Sequence, residues 1–125
     1  SDVYKRQLTA LLLACSSITT HKATGEEVSM TQEEFEKYVE KVFRYHNQVM
    51  NDLIETADDR ASQTAEESRK LDAAEARMVT TCRILNEIVA ESMSGENPGF
   101  KLKLDLIDSV PACEAASKTV DDLIP

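Results

Sequence analysis

Thr31-Gln-Glu-Glu-Phe35-Glu-Lys-Tyr38-Val39-Glu-Lys-Val42-Phe43-Arg-Tyr45-His46-Asn-Gln-Val49-Met50-Asn-Asp-Leu53-Ile54-Glu-Thr-Ala57 is the stretch that decides the fold. Its apolar side chains recur every three or four positions, and a helix of about 3.6 residues per turn gathers them on one face. His46 falls in the single gap of that stripe. Ser29 or Thr31 can cap the start, with Gln32 or Glu34 three residues on. Glu33, Glu34 and Glu36 crowd the first turns, where the helix dipole favours anions. The pattern predicts a helix over about 30–58.

Reading outward, a second stripe runs through Leu71, Ala74, Met78/Val79, Cys82, Leu85, Ile88/Val89 and Met93. Thr64-Ala-Glu-Glu67 fits a capping box at its start, and Ser94-Gly95 with Pro98 and Gly99 marks its end. No Gly or Pro occurs from Glu26 to Ser94, and the two stripes are in phase, so one continuous helix of 60-odd residues is an alternative. A hairpin is preferred, because each stripe then covers the other. Phe100-Lys-Leu-Lys-Leu-Asp-Leu106 alternates with period two, as strands do, yet Asn97 and Pro98 could equally cap a short helix. That segment stays open. From about 110 to 123, Pro111 sits in a first turn and Cys113, Ala116, Val120 and Leu123/Ile124 share one face. The expected fold is all-α: a long antiparallel helical hairpin plus a shorter C-terminal helix, one domain over 29–125.

The N-terminal segment is of a different kind. Ser1-Asp-Val-Tyr-Lys-Arg-Gln7 is the translation of TCA GAT GTG TAT AAG AGA CAG, and it resembles the end of a sequencing adapter, an artefact to exclude from fold reasoning. The native start, with any basic n-region, is therefore expected to be missing. Leu8-Thr-Ala-Leu-Leu-Leu-Ala14 is too short to span a bilayer, which takes about 20 apolar residues, and has the character of a truncated signal peptide. Leu12-Leu13-Ala14-Cys15 resembles the lipobox of the bacterial lipoprotein class. The resemblance implies that Cys15 is lipidated and becomes the mature N-terminus. It also implies that Ser16, which is not Asp, directs sorting to the periplasmic side of the outer membrane, with inner-membrane anchoring or surface exposure as alternatives. Residues 16–28 show no apolar period, so 15–28 reads as a lipidated end and flexible tether.

Removing residues 1–14, which hold Asp2, Lys5 and Arg6, leaves 111 residues with 12 basic and 22 acidic side chains, a net charge of −10. That balance argues against nucleic-acid binding, which needs a basic face to displace counterions, and against electrostatic attachment to anionic headgroups. Lipidation of Cys15 leaves Cys82 and Cys113 as an even pair, and in an oxidising periplasm an even pair is most simply a disulfide. Both lie on the inward stripes.

The chemistry-bearing residues are few. The chain has no HExxH, CxxC, CxxCH or GxSxG motif and no phosphate-binding glycine loop. Paired acidic residues such as Asp58-Asp59 lack EF-hand spacing and read as a solvated face. Di-iron bundles pair Glu with His three residues on, but the position three before His46 is Phe43. His46 reads first as a hydrogen-bonded core histidine. The expectation is a non-enzymatic, membrane-anchored structural or protein-interaction module without cofactor or metal, with a protein partner or self-association. The alternative is a bundle that binds a small ligand or metal, with His46, Tyr38 and Tyr45 at a pocket between helices.

Overall fold

A computed structural model describes residues 17–95 and 100–125, with residues 100–104 described by backbone alone. The lipobox with Cys15, and residues 96–99 with the Asn97 and Pro98 cap, lie outside the described residues. The element order is β1 (Ser17–His21), β2 (Glu27–Thr31), α1 (Gln32–Glu55), a short 3-10 turn (Asp58–Ser62), α2 (Ala65–Thr81), α3 (Arg83–Met93) and α4 (Phe100–Leu123). The molecule is mostly helical, as expected, but not all-α.

The correction begins at 17–28, where a hairpin replaces the expected tether. β1 and β2 pair antiparallel, with Ile18 opposite Met30 and Thr20 opposite Val28. Gly25, at φ 91°, turns the chain, donating its N–H to the Lys22 carbonyl at 2.8 Å. Threonine, counted as polar in a search for apolar period, is a β-branched strand former. Thr20 is wholly buried.

What Thr20 meets explains a second correction. The C-terminal helix is not a short one opening at Pro111; α4 starts at Phe100, is as long as α1 at 24 residues, and holds Pro111 in its interior. A helix-interior proline lacks the N–H that would bond the carbonyl four residues back. Here that carbonyl belongs to Ile107, and the Thr20 hydroxyl donates to it at 2.6 Å. The hairpin thus supplies the hydrogen bond that Pro111 withholds. The alternation over 100–106 resolves as helix, consistent with the good helix propensity of Leu and Lys.

Both helix starts follow their caps. Thr31 accepts from the Glu34 N–H and Thr64 from the Glu67 N–H, each at 3.1 Å. Between α1 and α2 the chain turns through Asp58–Ser62, which removes the single-helix alternative. Arg60 in that turn lies 3.8 Å from Glu75 on α2. The second stripe is itself divided at Cys82. Just before the break the hydroxyls of Thr80 and Thr81 donate to the carbonyls of Ala76 and Arg77, a back-bonding that loosens the ladder and bends helices.

The two stripes do not chiefly cover each other. Both α1 and α2 pack against α4, which also receives α3 and β1. α4 contributes Leu106, Val110, Cys113, Ala116 and Val120 to the core, facing Phe35, Val42, Val49 and Leu53 of α1 and Leu71 and Met78 of α2. Met93, expected on the second inward stripe, is 83% exposed. Among the described residues, no helix is long and apolar enough to cross a membrane.

Candidate functional site

His46 is placed by the stripe that makes α1. Val42 and Val49, four residues before it and three after, are fully buried, and helical spacing carries the imidazole inward with them to 4% exposure. There it meets the junction of α2 and α3 and the middle of α4. Cys82 and Cys113, both wholly buried, form a disulfide with their Cα atoms 4.7 Å apart. One imidazole nitrogen and the two sulfurs lie within 4.8 Å of one another. The fully buried Ser117, one turn beyond Cys113, brings its hydroxyl to 3.8 Å from the Cys82 sulfur.

The imidazole is held on one side only. Its Nε2 lies 3.4 Å from the side-chain amide of Asn86 on α3, while Nδ1 is buried with no partner. Burial disfavours the charged ring and lowers its pKa. His46 is therefore a neutral imidazole at pH 7 with one nitrogen uncommitted. A buried polar atom without a partner costs free energy, about 1–3 kcal/mol in mutational series, so its retention calls for an explanation.

Tyr38 and Tyr45 take different partners. The Tyr38 hydroxyl donates to Glu114 at 3.1 Å and the Tyr45 hydroxyl to Asp121 at 2.9 Å. The equal seven-residue steps on both helices show that α1 and α4 run parallel along this seam. Burial, then the neighbouring carboxylates, push Tyr45 up to about 12 and raise Tyr38 further. Both stay protonated donors. The tyrosines therefore fasten a helix seam, and the pocket expected from His46, Tyr38 and Tyr45 together is replaced by two separate arrangements. Tyr45 also borders an open surface depression with Lys37, Glu40, Lys41, Arg44 and Gln48.

The cluster that does form unites His46 with the two cysteines, which sequence reasoning had kept apart as ligand and staple. Asn86 and Ser117 were not singled out. The available signal was that His46, Cys82 and Cys113 each sit on an inward stripe; their common level depends on how the helices are offset. The donor set, two sulfurs and one nitrogen, is that of a soft or borderline metal in its thiolate form. In the disulfide form it is a covalent cross-link beside a neutral base. Comparison with protein-family models, curated proteins and solved structures finds no match. The functional reading rests on this chain's own residues.

Proposed function

We propose that the chain is a lipid-anchored helical module facing the periplasm, attached through Cys15 and acting through protein contacts rather than catalysis. The observation that supports it most is the buried Cys82–Cys113 disulfide. Such bonds persist in oxidising compartments and are rare in a reducing cytosol. They pair two of the chain's three cysteines, which leaves Cys15 for the thioether of the lipobox reading. Among the described residues there are seven charged pairs, six of them exposed and four residues apart, and such pairs add little stability.

The test is intact mass spectrometry of the protein isolated from its native host. Acyl additions on Cys15 at a new N-terminus, with Cys82 and Cys113 together two hydrogens lighter than free thiols, are the expected result. A Cys15 that is neither processed nor acylated overturns the anchor, and a crosslinking experiment in intact cells that recovers only monomer counts against the interaction role. A second reading, a metal- or small-ligand-binding bundle centred on His46, is favoured by a buried imidazole that has one nitrogen without a partner and lies within 4.8 Å of the two sulfurs.

A further inference from the structure

We infer that His46, Cys82 and Cys113 form a zinc site when the disulfide is reduced, so that the α2–α3 junction and α4 are joined by a covalent bond in one redox state and, together with α1, by a metal in the other. This deepens the second reading and is independent of the lipid anchor. Three ligand atoms from three separate parts of the fold already lie within 4.8 Å of one another: α1, the α2–α3 junction and α4. In a tetrahedral zinc site with Zn–S of about 2.3 Å, two sulfurs stand about 3.8 Å apart, a separation that side-chain rotation of Cys82 and Cys113 can reach. One nitrogen of the imidazole is buried with no hydrogen-bond partner.

Asn86 fits the role of an orienting partner. With its amide turned so that the oxygen faces the ring, it accepts from Nε2–H, and the lone pair is left on Nδ1. A ligating histidine is ordinarily held in this way through its other nitrogen. The Ser117 hydroxyl, 3.8 Å from Cys82 Sγ, stands where a fourth, neutral donor could complete the coordination.

Charge selects the metal. Two thiolates and a divalent cation sum to zero, so the complete centre can be buried without a counter-ion, which matters because an isolated buried charge is costly. A monovalent copper ion on the same ligands would leave one uncompensated negative charge. Zinc also accepts the mixed nitrogen and sulfur set.

The chemistry balances with a dithiol as reductant. Its thiolate attacks one sulfur of the Cys82–Cys113 bond, a mixed disulfide forms, and the second thiol releases the protein as two free thiols while the reductant ends as its own disulfide. Both protein thiols then lose their protons on binding Zn2+, and His46 donates a lone pair. Because both sulfurs are wholly buried, attack waits on local opening of the helices, and exchange is slow.

The test uses the full chain carrying Cys15→Ser, which removes the third thiol from the count. Oxidised and dithiol-reduced samples are incubated with zinc chloride, desalted, and assayed for bound metal, with Co2+ substitution to report tetrahedral thiolate coordination by absorption. Expected are one zinc per reduced chain, none per oxidised chain, and affinity lowered on the order of 10–100-fold by Asn86→Leu, the range for outer-shell partners of metal ligands. His46→Ala should lose more. A reduced chain that stays helical yet retains no zinc overturns the inference, as does one that unfolds and is not refolded by zinc. Equal zinc on oxidised, reduced and His46→Ala chains would mean adventitious binding only. If zinc fails but native mass spectrometry of the oxidised chain shows a His46-dependent small molecule, the second reading stands without this site.

Discussion

α4 is fastened at two points less than two turns apart, and the two fastenings could hardly differ more. At Ile107 the helix has a gap in its own hydrogen bonding, made by Pro111, and a threonine from the N-terminal hairpin closes it. At Cys113 the ladder is intact and a covalent bond to Cys82 is added. The first fastening is polar, reversible and corrective. The second acts on the unfolded chain as much as on the folded one, since it shortens the loop the chain must close. Helix α4 can serve as the common partner of α1, α2, α3 and β1 because it is held at both places.

The comparison breaks most visibly at the covalent end. Cys82→Ala with Cys113→Ala opens a link between residues 31 apart and should cost about 3–4 kcal/mol in the chain-entropy model. Chemical denaturation of the oxidised parent and the double variant measures it. A loss below 1 kcal/mol would mean that the helices around α4 hold each other without the staple.

The polar end should give the next largest effect. Thr20→Val keeps the shape and removes the donor, leaving the Ile107 carbonyl unsatisfied, at a cost of about 1–3 kcal/mol. Pro111→Ala restores a backbone N–H to the helix, so in that background Thr20→Val should cost much less. Equal costs in the two backgrounds would show that the hydroxyl matters for packing alone.

These two fastenings also mark where the sequence could and could not be read. The period of Phe35 to Leu53 and the caps at Thr31 and Thr64 are local signals, and the helices begin where those residues say. The pairing of Cys82 with Cys113 followed from parity and stripe position. The hairpin did not, because Ile18, Thr20, Val28 and Met30 make an alternation only when threonine counts as buried. Nor did the length of α4, since the Ile107 carbonyl that the interior proline leaves free is satisfied by a partner 87 residues before it in the chain. The meeting of His46 with the sulfurs is of the same kind. It depends on the relative heights of three helices, which no local pattern carries.

Along the α1–α4 seam the fastenings are weaker again. Tyr38→Phe removes a half-buried bond to Glu114 and should cost about 1–2 kcal/mol, whereas Tyr45→Phe removes an exposed bond to Asp121 and should cost under about 0.5 kcal/mol. Paired denaturation curves distinguish them. The reverse order would place the stronger contact at the outer edge of the seam.

The smallest effect at neutral pH belongs to His46, the one titratable group at the covalent fastening. Its folded pKa lies below the ordinary 6.5 because burial disfavours the charged ring. Between the two values the unfolded chain binds more protons than the folded one, so stability rises with pH there and is lost as pH falls. Above about pH 7 the ring is neutral in both states and contributes no slope. His46→Leu should therefore flatten the loss of stability below pH 6.5 while leaving the slope above pH 7 unchanged, as read by urea midpoints across the range. An unchanged acid slope in the variant would show that His46 is not the source of the acid sensitivity. The neutral imidazole the measurement reports is also the form that can give a lone pair to a metal, so the same curve bears on the chemistry beside the disulfide.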